Sequence, residues 1–456
     1  MIDPTMMSLS EAAAALGGST TAPEVRFARV NTDSRAIEPG DLFIALEGER
    51  FDAHDFVNGA LAAGAAAAVV KASWEGGDDL PLIRVDDTHR ALGQLAAFWR
   101  SRFTIPVAAI TGSSGKTTVK EMLASICTAA SSEAEVLATR GNLNNDIGVP
   151  LTLLRLRANH RFAVIEMGMN HAGEISYLTR MGRPDVALVN NAGAVHLEGL
   201  GSVEAVARAK GEIFEGLGEQ GIAIINEDDA YAPLWKQLAG THRTLTFGLQ
   251  QGDVRATFKL AVLDSELTLR TPAGDVSLKL SVPGMHNIRN ALAATAAALG
   301  MGIGLDAIQR GLAQFGGVKG RLQRKQGRHG GLVIDDTYNA NPASMAAALS
   351  VLAAQPGDTC FVMGDMGELG PDGPQLHAEI GALARDKGIK HLYCLGPLCA
   401  EAASQYGERA RHFNEIEPLL AALASELAAG ATVLVKGSRF MKMERVVDFL
   451  TAQGGA

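Results

Sequence analysis

Ile110-Thr-Gly-Ser-Ser-Gly-Lys-Thr-Thr118 is the stretch on which the reading of this chain turns. It follows the apolar, β-rich run Ile105–Ile110 and precedes a helical pattern beginning near Val119. A strand, a glycine turn and a helix in that order point backbone N–H groups and the positive end of a helix at one spot, which is how proteins cradle phosphate. In such a loop Thr111, Gly112, Ser113, Ser114, Gly115 and Thr118 shape the cradle. Lys116 reaches the β- and γ-phosphates, and the Thr117 hydroxyl is offered to Mg²⁺. The general motif has a glycine five residues before Gly115, where this chain has Ile110, so the match is to a shortened form, TGxxGKT. ATP is the expected ligand.

Outward from the loop, strand-like runs alternate with helical ones. Phe162–Ile165, Val186–Val189 and Ile222–Ile225 are short, apolar and bounded by charged or turn residues, as strands buried on both faces are. Residues 257–262, Glu266–Arg270 and Val276–Leu280 read instead as antiparallel strands, followed by a helix from about Ile288. A Gly/Lys-rich stretch at Gly316–Gly320 marks a boundary. Beyond it Gly331–Ile334, Thr359–Met363, His391–Leu395 and Thr432–Val435 are separated by helical segments, which predicts right-handed crossovers and a parallel, Rossmann-like sheet. Before the loop, Phe27–Val30, Asp41–Ala45 and Ala67–Val70, with an Ala-rich helix at Phe56–Ala63, form a small α/β unit. A helix from about Thr88 to Arg102 leads out of it. The expected fold is α/β in three domains: 1–86 small, 87–316 carrying the phosphate loop, and 317–456 Rossmann-like.

Composition agrees with this reading. Of 456 residues 47% are apolar and 20% charged, and the 51 glycines cluster in turns after β-branched runs. A net charge of −9 argues against partners such as nucleic acid or an anionic membrane. No basic start leads into an apolar h-region, so a cytoplasmic location is expected. The four cysteines, Cys127, Cys360, Cys394 and Cys399, form no CxxC pair and read as buried thiols of a reducing compartment. Nothing demands more than a monomer.

A nucleoside triphosphate needs metal ligands. Glu166 follows the strand Phe162–Ile165, at the carboxyl end where open α/β sheets collect ligands. His196 closes the run Asn190-Asn-Ala-Gly-Ala-Val-His196. It is an unusual ligand for a hard cation, and a structural histidine is the competing reading. Lys210 lies on the helical run Val203–Phe214. It is either a solvated surface lysine or, beside Mg²⁺, a neutral or carbamylated one, since an ammonium would be repelled.

These residues together resemble the Mur ligase family across the whole chain. The resemblance implies that Glu166, His196 and a carbamylated Lys210 hold two Mg²⁺ ions with Thr117. It makes Asn287, in Gly284-Met-His-Asn-Ile-Arg-Asn290, an adenine contact, Arg321 a phosphate contact and Asp336 a ribose contact. Thr32-Asp-Ser-Arg35, with Ser34 and Arg35, the run Gly40–Gly48 and Phe51-Asp-Ala-His-Asp-Phe56 are similar to the family's UDP-substrate domain. Asp335-Asp-Thr-Tyr-Asn-Ala-Asn-Pro-Ala-Ser-Met345, Val362-Met-Gly-Asp-Met-Gly-Glu-Leu-Gly370 and Leu434-Val-Lys-Gly-Ser-Arg439 are similar to the branch that adds D-alanyl-D-alanine to UDP-N-acetylmuramoyl-tripeptide. The Asp-Asn-Pro-Arg signature of the diaminopimelate-adding branch is absent.

The implied reaction passes through an acyl phosphate in peptidoglycan precursor synthesis. In it Asn142, Asn144 and Asn145 hold the muramoyl-peptide end, Asn339 and Asn341 orient the dipeptide, and domain closure assembles the site. Other Mur-type ligases and folylpolyglutamate-type ligases are the neighbouring readings, and a P-loop NTPase switch the distant one. Structural roles compete at several positions. Asn339, Asn341 and Pro342 suit a turn, Asp365 and Glu368 suit a cap on a helix after Pro371, and Arg35 suits a surface ion pair.

Overall fold

Strand Val107–Thr111 is buried along its whole length and lies in the interior of a six-stranded parallel sheet. The order across that sheet is Val136–Ala138, Phe162–Glu166, Val107–Thr111, Val186–Val189, Ile222–Asn226 and Arg243–Phe247. Register aligns Ile110 with Glu166 and Thr111 with Val189, so the carboxyl ends of neighbouring strands finish at one level. This is a computed structural model, and it describes residues 5–48, 51–77, 79–195, 197–260 and 264–451.

The helix after the phosphate loop, Lys116–Ala130, starts three residues earlier than the sequence pattern suggested. Gly115 is its N-cap, at φ +79°. That left-handed conformation is open to glycine and strained for other residues, and it turns the chain into the helix at once. On one face of the sheet this helix packs with Met285–Gly300 and Leu305–Gln314. Nearly every residue of Met285–Gly300 beyond the first turn is buried, as expected of a helix that is apolar all round. Gly311 lets Leu305–Gln314 lie directly on the phosphate-loop helix, since a Cβ there would come within 2.4 Å of the Ile126 backbone.

The antiparallel meander expected after residue 244 is present as Arg255–Leu260, Ser265–Thr271 and Gly274–Leu280. The last two residues of its first expected strand, 261 and 262, lie outside the described residues. Strand Arg243–Phe247, which sequence reading had not assigned, is the last strand of the parallel sheet.

A five-stranded sheet precedes this unit, in the order Ser19–Thr20, Leu82–Val85, Ala67–Lys71, Asp41–Ile44 and Arg29–Asn31. Its first strand is antiparallel and the rest are parallel. Helix Thr88–Arg100 joins it to the central sheet. Its buried face (Ala91, Leu92, Leu95, Ala96, Trp99) belongs to one core with Met7 and Leu9 on one side and Leu153, Leu178 and Met181 on the other. Two polar ties fix the junction: Trp99 Nε1 donates to the Leu156 carbonyl at 3.0 Å, and Arg100 Nε donates to the Gly182 carbonyl at 3.0 Å.

The last sheet runs Gln323–Gln326, Leu332–Asp336, Thr432–Lys436, Thr359–Gly364, His391–Leu395, Ala410–Phe413. Five of these six strands are parallel. The edge strand Gln323–Gln326 is antiparallel, which corrects the expectation of a purely parallel sheet. Its sequence, Gln-Arg-Lys-Gln, is polar because an edge strand beside solvent needs little apolar surface. All four cysteines are buried and unpaired. Among the described residues no helix is long and apolar enough to cross a membrane.

Candidate active site

The carboxyl ends of the central strands and the third sheet face each other across one cavity of about 630 Å³. Its walls include the phosphate loop from Ser113 to Thr118, then Asn142, Asn144, Asn145, Glu166 and Asn287. From the third unit come Arg321, Asp336, Asn339 and Asn341. Most residues singled out in the sequence thus meet in one place. Thr111, Gly112 and Lys210 do not line the cavity; Thr111 and Lys210 are buried. Ser34 and Arg35 are not brought there. Arg35 is exposed and pairs with Asp33 at 2.8 Å, so the surface ion pair is what the structure shows. His196 lies outside the described residues.

Asparagines from neighbouring strand ends hold the phosphate loop. Asn191 Oδ1 accepts from the Ser114 N–H at 2.8 Å, and its Nδ2 donates to the Ser114 carbonyl at 3.0 Å. Asn190 Nδ2 donates to the same carbonyl at 2.9 Å and to Asn290 Oδ1 at 3.2 Å. Asn226 Nδ2 in turn donates to the Asn190 carbonyl at 2.9 Å. A Cβ on Gly115 would lie 2.5 Å from Asn290 Oδ1 and 2.8 Å from Asn190 Nδ2, so this network closes only around glycine. No task for Asn190, Asn191 or Asn290 follows from the sequence motifs that contain them. Their position at strand ends and at a helix start was the available signal.

Lys116 Nζ donates to the Gly112 carbonyl at 2.5 Å, and burial lowers its pKa while Glu166 pulls the other way. Glu166 Oε1 accepts from Asn144 Nδ2 at 2.8 Å. Its Oε2 is buried and has no hydrogen-bond partner among the described residues. A buried carboxylate oxygen left open, with the Thr117 hydroxyl on the same cavity, is a donor set that fits a hard divalent cation.

Lys210, on helix Val203–Gly211, is buried rather than solvated, which settles that alternative against the surface reading. Its amine forms no hydrogen bond or ion pair with any described residue. Burial and then the neighbouring Lys116 hold its pKa well below the ordinary lysine value. As an ammonium it does not fit a cation site.

The third unit reaches the loop directly. Arg321 Nη2 donates to Thr117 Oγ1 at 3.0 Å, with its guanidinium 4.3 Å from the centre of the Tyr338 ring. Asn341 Nδ2 donates to Ser114 Oγ at 3.2 Å. Asn341 also caps helix Pro342–Ala353 through a capping box with Ser344, so its structural and cavity-facing roles coexist. Asp336 Oδ2 and Lys436 Nζ are 2.6 Å apart, on residues that are register partners of adjacent strands. Asp336 Oδ1 also accepts from the Leu322 N–H at 3.1 Å, and Lys436 donates to the Asn339 carbonyl at 2.9 Å. Asn287 Nδ2 is spent on the Pro283 carbonyl at 2.8 Å and its Oδ1 on Asn290 at 3.2 Å, both within its own helix start. Asp365 is not a cap for the helix after Pro371. It accepts from the Cys399 N–H at 2.8 Å and so caps helix Cys399–Tyr406 instead.

Comparison with known proteins matches this arrangement. Residues 26–100 match the Mur ligase family catalytic domain, residues 110–298 the Mur ligase middle domain, and residues 320–439 the Mur ligase glutamate ligase domain. The UDP-N-acetylmuramoyl-tripeptide–D-alanyl-D-alanine ligase of Escherichia coli K12 is 45% identical over 461 residues, covering 100% of both chains. The solved UDP-N-acetylmuramoylalanyl-D-glutamyl-2,6-diaminopimelate–D-alanyl-D-alanyl ligase of Acinetobacter baumannii superposes with a TM-score of 0.89 at 39% identity, covering 99% of this chain and 100% of that one. MurF from Thermotoga maritima, solved with ADP, gives a TM-score of 0.82 at 29% identity, over 93% and 97% of the two chains. A phosphate loop, an open buried carboxylate and a third unit docked on that loop, matched from end to end by such relatives, place the chain in the Mur ligase family.

Proposed function

We infer that this chain is an ATP-dependent, ADP-forming ligase that joins D-alanyl-D-alanine to UDP-N-acetylmuramoyl-tripeptide in peptidoglycan precursor synthesis. The observation that carries the reading is the single cavity in which a phosphate loop faces residues of a third sheet, so that a nucleotide and a second reactant share one space. Relatives similar over the full chain bear that activity in their names. The name of the Acinetobacter baumannii relative favours diaminopimelate as the third peptide residue.

The chemistry runs in two steps. A carboxylate oxygen of the tripeptide attacks the γ-phosphorus of ATP; the bond to the bridging oxygen breaks and ADP leaves. The dipeptide amine then attacks the acyl carbon of the resulting acyl phosphate. Inorganic phosphate departs, and the amine loses its proton as the amide forms.

Two anions meet in the first step, so repulsion is the main obstacle, and positioning with charge stabilisation is the protein's task. Lys116 swings from the Gly112 carbonyl to the phosphates. Arg321, held over Tyr338, carries a second fixed positive charge to the same end of the loop. Asn142, Asn144 and Asn145 line the side from which the peptide carboxylate arrives, and Asn339 and Asn341 the side from which the dipeptide arrives. Asn287 and Asp336 border the cavity where the nucleoside extends.

Mg²⁺, when bound, offsets phosphate charge and polarises the transferred phosphoryl group. Glu166 Oε2, the Thr117 hydroxyl, His196 and a carbamylated Lys210 would hold it. Arg321 and Asn341 already reach the loop here, so the docked third unit is the closed arrangement in which the reaction would run. The test is phosphate release from Mg·ATP with UDP-muramoyl-tripeptide, with and without D-alanyl-D-alanine. Release that needs both, one phosphate per amide formed, is the expected result. Release that needs neither would make the chain a simple NTPase.

A further inference from the structure

Beside the main cavity lies a second one of about 460 Å³, walled by the start of helix Thr88–Arg100 and the start of helix Glu174–Gly182. Asn145, Gly168, Asn170 and Glu174 line both, so the two spaces meet where the peptide carboxylate is placed above. The Tyr177 phenol closes one side by lying on Gly93, where a Cβ would come within 1.9 Å of its oxygen.

The charges on this wall are distinctive. The Arg90 guanidinium and the Asp146 carboxylate both line the cavity. Neither forms a hydrogen bond or ion pair with any described residue, and they do not bridge each other. The Tyr177 hydroxyl likewise has no hydrogen-bond partner among the described residues, and burial raises its pKa, so it remains a donor. Glu174, by contrast, is occupied: it accepts from the Asn170 N–H at 2.7 Å and pairs with His171 at 3.0 Å. An exposed charge is satisfied by water. Two opposite charges held apart on one cavity next to a reacting centre form a receptor for a group bearing both signs.

Resting on the function inferred above, we propose that this cavity receives the distal amino-acid group of the tripeptide's third residue, with Arg90 taking its carboxylate and Asp146 its ammonium. A diaminopimelyl side chain carries that group beyond three methylenes, roughly 5 Å from the Cα of the reacting centre. A lysyl side chain ends in the ammonium alone. Arg90 is therefore a specificity residue that separates the two, because only one of them supplies the carboxylate. Asp146 serves both.

The experiment compares UDP-muramoyl-tripeptides ending in meso-diaminopimelate and in L-lysine on the wild type, Arg90→Ala and Asp146→Asn. Both positions are exposed, so the variants should fold as the parent does. Arg90→Ala should raise KM for the diaminopimelyl substrate roughly tenfold or more, the scale of a lost hydrogen bond between charged groups, and leave the lysyl substrate within about twofold. Asp146→Asn should raise KM for both. An equal change on both substrates from Arg90→Ala, or none on either, overturns the proposal, since the cavity would then hold a part common to both or nothing. The wild-type requirement for D-alanyl-D-alanine is read first, because its failure strikes the underlying function instead. Calorimetric binding of the two tripeptides with a non-hydrolysable ATP analogue reads the same selectivity without turnover, and equal affinities for wild type and Arg90→Ala on both would again overturn it.

Discussion

Replacing Arg321 with alanine removes two contacts that the structure defines. One is the hydrogen bond from Nη2 to Thr117 Oγ1 at 3.0 Å, made by a charged donor. The other is the packing of the guanidinium over Tyr338, 4.3 Å from the ring centre. Hydrogen bonds to charged groups contribute about 1.5–3 kcal/mol, and a cation over an aromatic face about 0.5–2 kcal/mol. Contacts made by one side chain do not add fully, so a total of about 2–5 kcal/mol is an upper bracket. Expressed on kcat/KM for ATP, this is a loss of roughly thirty-fold to a few thousand-fold.

The assay is steady-state phosphate release at saturating tripeptide and dipeptide, with thermal melting as a control for folding. Arg321→Lys should fall between the two, because it keeps the charge but loses the planar fork and the stacking. Small-angle scattering of Arg321→Ala with ATP and tripeptide bound should show a less compact molecule than wild type. A loss below about threefold in a normally melting Arg321→Ala would refute the idea that this residue couples the third unit to the phosphate loop.

Other substitutions test separate parts of the account. Glu166→Gln keeps the acceptor for Asn144 but not the charge at Oε2. It should cut kcat by about a hundredfold or more with melting unchanged and a higher Mg²⁺ requirement; activity within tenfold of wild type would remove Glu166 from the metal site. Gly115→Ala puts a Cβ 2.5 Å from Asn290 Oδ1 at φ +79°. Left-handed strain alone costs about 1–2 kcal/mol, so a lower melting temperature and a raised KM for ATP are expected, and a variant with neither would show that the asparagine network yields freely.

His286 also lines the cavity, and its pKa is lowered to about 4, by burial first and then by Lys436 and Arg289. Because the folded value lies below the unfolded one, the unfolded chain binds the extra proton between pH 6.5 and about 4. Stability from this group is therefore complete above pH 6.5 and falls by at most about 3 kcal/mol as pH drops through that window. Denaturant midpoints for wild type and His286→Asn should converge as pH falls, and parallel curves would contradict the assignment.

The phosphate loop was legible because its chemistry is local: strand, turn, helix, lysine and hydroxyls all fall within a few residues. Glu166 was legible for a related reason, since a carboxylate ending a buried strand has few structural excuses. The asparagine network was not. The tasks of Asn190, Asn191 and Asn226 depend on which strand ends lie side by side, and order across a sheet is not written in any one segment. The Asp336–Lys436 pair was hidden likewise, because the last strand returns to insert beside the first parallel strand of its sheet. Lys210 needed burial to be read, as helical periodicity alone does not separate a lysine facing solvent from one facing Lys116. Strand Gln323–Gln326 escaped because its polar edge sequence has no apolar alternation.

The most direct test of the central claim is mass spectrometry of the phosphate released when the tripeptide's reacting carboxylate carries ¹⁸O and Mg·ATP and D-alanyl-D-alanine are both present. Attack of that carboxylate on the γ-phosphorus, followed by amide formation, must leave one labelled oxygen in each phosphate, together with a UDP-muramoyl-pentapeptide product. Unlabelled phosphate, or phosphate released with no pentapeptide formed, would contradict an acyl-phosphate ligase.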